Sequence, residues 1–109
     1  MHEALVADPR SPEQSRLLVK HFLAVLAERA PGASVEVRVP PYAAVQAVAG
    51  VRHTRGTPPA VVELDAETWI ALAVGALAWH DAERAGRVRA SGERADLSPL
   101  LPLSSREEP

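Results

Sequence analysis

The sequence predicts a single small domain in which helices pack over a sheet, and three features support this prediction. They are an amphipathic helix in the first third of the chain, several short stretches with the two-residue period of strands, and a largely apolar stretch from Asp65 to Gly92. A length of 109 residues suits one domain with one core. Apolar residues make up 47% of the chain, which argues against a disordered protein.

The first helix has a clear N-terminal signal. Ser11 is followed by Pro12 and, three positions after the serine, by Gln14, an arrangement typical of a capping box. The predicted helix extends from there to about Ala30 and ends at Pro31. One side of it is apolar and is expected to pack on a sheet. This side consists of Leu18, Val19, Phe22, Val25 and Leu26.

Three strands are predicted before the apolar stretch that begins at Asp65. Residues 35–39 alternate strictly between valine and charged residues, so the valines should face inward. Residues 42–49 fit the period of a helix or of a strand, and the two prolines before them favour a strand returning as a hairpin. Residues 60–64 form a continuous apolar run, which is typical of a central strand. Residues 50–59 are predicted to be a polar loop.

The stretch after Leu64 is predicted to contain two short helices and a strand. Asp65 is placed to cap the first helix, which covers residues 66–74 and ends at Gly75. This helix has almost no polar side, so it is either buried on most sides or faces a cavity. The second helix begins near Trp79 and stops at Gly86, and an alternating strand follows over residues 87–91.

The two ends of the chain are predicted to differ from the body. Residues 1–10 are expected to be a flexible lead-in, residues 11–103 the single domain, and residues 104–109 a disordered tail. Before that tail, Asp96 should cap a short helical turn. The leucines that follow, up to Leu103, should lie against the body of the domain.

Composition and spacing exclude several classes of function. A net charge of −2 gives no general attraction to nucleic acid, and the absence of cysteine excludes a disulfide framework or a thiol nucleophile. The four histidines have no metal-ligand spacing, and adjacent residues such as His80 and Asp81 point about 100° apart on a helix. No secretory signal or membrane-spanning run is visible. We therefore expect a cytoplasmic protein that is not an enzyme, with no catalytic residue, no metal and no cofactor.

A family resemblance rests on the stretch V-E-L-D-A-E-T-W-I-A-L-A-V-G-A-L-A-W-H-D-A-E-R-A-G-R-V-R-A-S-G. With its glycines at 75, 86 and 92, it resembles the second half of the sterol carrier protein 2 family, and most of all the short actinobacterial branch of bacterial sterol carrier orthologues. It is also similar to the C-terminal domain of mycothiol-dependent maleylpyruvate isomerases. The resemblance extends over residues 11–103. It implies an α+β fold, with a mixed sheet of four to five strands, helices packed on one face, and an apolar tunnel for acyl chains or sterols.

The resemblance and the apolar pattern together predict a ligand-binding pocket between the helices and the sheet. The same side chains would equally serve to fill the core, and the sequence leaves that alternative open. In the polar loop, Arg55 is a candidate to pair with a carboxylate or phosphate, with a solvated loop residue as the alternative. The predicted ligand-binding residues are Phe22, Leu26, Arg55, Trp69, Leu72, Leu77, Trp79, Val88 and Leu101.

Two other functions compete with lipid binding and transport at this point. The domain could assist a mycothiol-dependent isomerase, with Arg55 supplying positive charge to the partner's active site. It could also be a structural module that forms a homodimer through an exposed apolar surface.

Overall fold

The computed structural model describes residues 2–50, 59–92 and 95–104. Along the chain these residues form two helices, three strands, two further helices, a fourth strand and a 3-10 helix. The elements are α1 (His2–Val6), α2 (Pro12–Arg29), β1 (Val35–Val39), β2 (Ala43–Ala47), β3 (Ala60–Leu64), α3 (Ala66–Ala73), α4 (Trp79–Arg84), β4 (Val88–Ser91) and a short 3-10 helix (Ser98–Leu100).

Helix α2 begins with the predicted capping box. The Ser11 hydroxyl oxygen accepts a hydrogen bond from the Gln14 backbone N–H at 3.1 Å, and the Gln14 side-chain oxygen accepts one from the Ser11 N–H at 2.8 Å. Two amide groups that a helix start leaves unpaired are thereby satisfied. The predicted helix and its N-terminal signal are confirmed.

The four strands form one mixed sheet in the order β2-β1-β3-β4. Strand β1 is antiparallel to β2 and parallel to β3, while β3 is antiparallel to β4. Val37 of β1 lies between Val45 of β2 and Val62 of β3. The central position predicted for residues 60–64 is confirmed, as is a strand within residues 42–49.

The two faces of the sheet differ in character because side chains alternate along each strand. Val35, Val37 and Val62 are fully buried on one face, whereas Arg38 is exposed and Glu63 is half-buried on the other. Helix α2 lies against β2, α4 lies against β4, and the buried side chains of the helices join those of the strands in one cluster. The predicted α+β fold, with a mixed sheet of four to five strands and helices on one face, is confirmed, and the sheet of the described residues has four strands.

The segment before Ser11 contains a helix that the sequence did not predict. Helix α1 has five residues, too few to be stable in isolation, and its Ala4 is buried in the core cluster. The guanidinium of Arg10 donates to the carbonyl oxygens of Ala4 at 2.9 Å and Leu5 at 3.1 Å, so it caps the end of α1. The flexibility expected for residues 1–10 stays a prediction.

The last described segment folds back onto the helices as predicted. The Asp96 carboxylate accepts the backbone N–H of Ser98 at 2.8 Å, ahead of the 3-10 helix. Leu97 and Leu103 are buried, and the backbone N–H groups of Leu103 and Ser104 both donate to the carbonyl of Ala73 in α3. Of the predicted disordered tail, residues 104–109, only residue 104 is among the described residues. None of the helices in the described ranges is long and apolar enough to cross a membrane.

Candidate ligand-binding site

Helix α3 is surrounded by protein on nearly every side. The carboxylate of Asp65 accepts the backbone N–H of Thr68 at 2.7 Å, which confirms the predicted cap. Beyond the cap, Trp69 and Leu72 are at most 1% exposed. Gly75 adopts a φ of +81° just after the helix, a conformation that glycine accepts without steric cost. A helix with so few polar residues is stable here because α2 packs beside it and the C-terminal segment lies at its end.

Helix α4 places the second tryptophan in the same interior. Trp79 is the first residue of the helix and is 3% exposed, and Ala82 is fully buried one turn later. The small alanine lets the helix approach its neighbours closely, while the outward side carries charged residues. On that side Arg84 forms an ion pair with Asp81, and the Nδ1 of His80 lies 3.2 Å from a carboxylate oxygen of Glu83.

The structure brings the predicted apolar site residues together in one cluster. Some are buried and the others are half-buried against the first group. The buried residues are Phe22, Leu26, Trp69, Leu72 and Trp79, and the half-buried ones are Leu77, Val88 and Leu101. Arg55 lies outside the described residues, and its predicted role stays a prediction.

Both indole N–H groups at this site lack an acceptor. The Nε1 atoms of Trp69 and Trp79 are buried, and neither has a hydrogen-bond partner among the residues that the structure describes. Leaving one buried donor unpaired costs about 1–3 kcal/mol. Buried polar groups in native proteins nearly always have a hydrogen-bond partner, so the two unpaired donors are an unusual feature of this core.

Two other polar groups near the site, the Thr68 hydroxyl and the Asp96 carboxylate, have hydrogen-bond partners. The Nε of Arg87, which precedes β4, donates to the buried hydroxyl oxygen of Thr68 at 2.9 Å. This bond ties the start of α3 to the connection between α4 and β4. Near the C-terminal segment, the hydrogen bonds from Ser98 lower the pKa of the Asp96 carboxyl below its ordinary value, and the charge of His80 acts in the same direction.

A groove in the described part of the chain lies elsewhere, on the outer side of α2. It is open, its volume is about 600 Å³, and Leu17 within it is 49% exposed. The groove is lined by exposed residues of α2, opposite the apolar side that packs into the core, so it is separate from the interior beneath α3. The residues that line it are Glu13, Arg16, Leu17, Lys20 and His21.

Sequence reasoning missed two residues that shape the site. Leu23 is 1% exposed in the core, although it lies toward the edge of the apolar stripe of α2. Arg10 joins α1 to α3 through Glu67, a partner 57 residues away in the chain. The spacing of Leu23 after Val19 was a usable signal. No local pattern points from Arg10 to its partner.

Comparison with known families identifies one whose sequence model matches this chain. The sequence model of a family described as bacterial SCP ortholog matches residues 11–103. The chain belongs to this family. The match to the bacterial SCP orthologs runs from the cap of α2 to the buried Leu103, so it includes the whole sheet, α3 and α4 but leaves out α1. It confirms the resemblance to sterol carrier protein 2-like bacterial proteins. No curated protein matches the chain.

Proposed function

We propose that this domain binds a small apolar or amphipathic molecule, such as an acyl chain or a sterol-like compound, between its helices and its sheet, without catalysing a reaction on it. Membership of the bacterial SCP ortholog family supports the proposal. The structural observation that carries it is α3, a helix that is almost entirely apolar beyond its first turn and lies in the layer that covers the apolar face of the sheet.

The chemistry of the interior supports binding over catalysis. Ser15 and Thr68 are the buried polar side chains among the described residues, and the hydroxyl of Thr68 is already bonded to Arg87. Neither side chain has a neighbouring base in the described hydrogen bonds. Binding would then depend on apolar contact area, at about 25 cal/mol per Å² buried before the costs of ordering.

Native mass spectrometry of the protein after mild purification tests the proposal. We expect a second mass in addition to that of the bare chain, and extraction with organic solvent should release the bound lipid-like molecule. A bare-chain mass alone, combined with no binding of added acyl compounds, would contradict the proposal and identify the interior as a filled core.

A pair of matched variants separates interior binding from binding at the outer groove. Leu72→Phe adds bulk beneath α3 and should reduce the occupied fraction, whereas Leu17→Phe makes the same change at an exposed position of α2 and should leave it unchanged. Circular dichroism verifies that both variants are folded. If Leu17→Phe reduced occupancy and Leu72→Phe did not, the ligand would lie in the groove of α2.

A further inference from the structure

The chain has two tryptophans, and both bury a hydrogen-bond donor that the described residues leave unpaired. Trp69 is fully buried on α3 and Trp79 is 3% exposed on α4. An indole N–H can donate a hydrogen bond but cannot accept one. Buried donors in native proteins are nearly always paired, so both indoles require an acceptor.

The buried side chains of the described residues have little to offer as that acceptor. Within the described ranges, the buried polar side chains are those of Ser15 and Thr68. The Thr68 hydroxyl oxygen already accepts from Arg87, and the Ser15 side chain has no recorded bond to either indole. A molecule that enters the interior can supply the missing acceptor.

The charge of the interior restricts what that molecule can be. No charged side chain is buried among the described residues, so nothing there would compensate a buried carboxylate. A hydroxyl group would accept from an indole but would also bring a hydrogen that needs its own acceptor. A carbonyl oxygen accepts up to two hydrogen bonds and donates none, so it suits an interior that contains unpaired donors.

We propose that the interior bounded by α3 and α4 binds a neutral apolar molecule with a carbonyl group, such as a ketone or an ester. Its oxygen accepts a hydrogen bond from the indole N–H of Trp69, of Trp79 or of both. This inference rests on the proposed binding function and specifies its ligand class. It also places the polar end of the ligand inside the protein, beside the tryptophans, instead of at the surface.

The indole groups themselves report whether this bond forms. In a ¹H–¹⁵N correlation spectrum the protein gives one indole signal for each tryptophan, and Trp69→Phe and Trp79→Phe each remove one signal and so assign them. Addition of 2-octanone should move at least one indole proton downfield, as expected for a donor that gains an acceptor. Octane, delivered through the vapour, matches its chain and should leave the indole protons without such a shift.

Affinities for three probes of the same chain length complete the test. We expect 2-octanone to bind about tenfold more tightly than octane, the factor that one net hydrogen bond supplies. Octanoate at neutral pH should bind more weakly than 2-octanone because its charge would be buried without a partner. Replacing the responding tryptophan with phenylalanine keeps an aromatic ring and should abolish the advantage of the ketone over the alkane.

The outcomes distinguish a failure of this inference from a failure of the proposed binding function. If octane and 2-octanone bind equally and no indole proton shifts, the binding function stands and the carbonyl inference is overturned. Tighter binding of octanoate, or indole protons that are already hydrogen-bonded in the ligand-free protein, would also overturn it. If none of the three probes binds, both proposals fail. The spectra of the wild-type protein decide these points even where a phenylalanine variant does not fold.

Discussion

The Nη1 atom of Arg10 lies 2.6 Å from a carboxylate oxygen of Glu67, although the two residues are 57 positions apart. The other nitrogens of the same guanidinium donate to the carbonyls of Ala4 and Leu5 at the end of α1. One side chain, itself 16% exposed, therefore joins α1 to the first turn of α3. Arg10 and α1 lie outside the range that matches the bacterial SCP ortholog family, because the match begins at Ser11, whereas Glu67 lies within it.

Removal of the Arg10 side chain should loosen α1. We expect Arg10→Ala to lower the free energy of unfolding by about 1–2 kcal/mol, since two bonds to backbone carbonyls and one ion pair are lost. Urea unfolding measures the change, and amide hydrogen exchange should be faster in α1. Arg16→Ala removes the same charge from an exposed position that has no hydrogen bond or ion pair from its side chain among the described residues, and it should change stability by less than about 0.5 kcal/mol. Equal effects of the two variants would contradict the role assigned to Arg10.

The cap of α3 gives a second prediction. Asp65→Ala removes the acceptor of the Thr68 backbone N–H and should cost about 1 kcal/mol of unfolding free energy. Asp65→Asn keeps a side-chain oxygen at the same place and should retain most of that stability. Thermal and urea unfolding of the two variants provide the measurement. A loss in Asp65→Asn as large as in Asp65→Ala would show that the charge, and not the cap, is what stabilises the helix.

Two glycines with positive φ should respond differently to the same substitution. Gly32 has a φ of +148°, and a Cβ there would overlap the carbonyl of Val48, so Gly32→Ala should cost more than about 2 kcal/mol. Gly86 has a φ of +72° but open space around the Cβ position, so Gly86→Ala should cost only the left-handed penalty of about 1 kcal/mol. Chemical denaturation measures the unfolding free energy of each variant. A smaller cost at Gly32 would mean that the backbone near Val48 moves away easily.

The carboxyl of Asp96 predicts a small pH dependence of stability. The hydrogen bonds from Ser98 lower its pKa in the folded protein below the ordinary value of 3.8. The folded state therefore binds this proton less readily than the unfolded state, and the stabilisation is present above pH 3.8 and lost as the pH falls through the lower folded value. Carbon NMR titration of the Asp96 carboxyl should show the lowered pKa. In Asp96→Asn the acid-side loss of stability should be smaller, and an unchanged loss would assign it to other carboxyls.

Much of the fold could be predicted because its signals are local. The capping residues Ser11 and Asp65 and the alternation in β1 each act within a few positions, and each is found where the sequence predicts it. The family resemblance supplied the mixed character of the sheet and the helices on one face of it, which no local pattern contains. Helix α1 was missed because its stability depends on Arg10, a residue outside the helix.

The candidate site could be predicted only in part. The apolar side chains around Trp69 were identified because burial follows from helical spacing and apolarity. The same pattern is compatible with a filled core or with a cavity, since both are lined by apolar side chains. The unpaired indole nitrogens could not be foreseen, because the partner of a donor depends on atoms brought together by the complete fold.

The parallel pairing of β1 with β3 divides the domain into two halves that are each continuous in sequence. Helix α2, β1 and β2 lie before Gly50, and β3, α3, α4 and β4 lie after Pro59, so the halves meet along one strand ladder and along the contact of α2 with α3. Either half by itself would expose apolar surface that only the other half covers. Two polypeptides divided between positions 50 and 59 should therefore reassemble on mixing, which would make this domain a candidate for a split reporter of protein proximity.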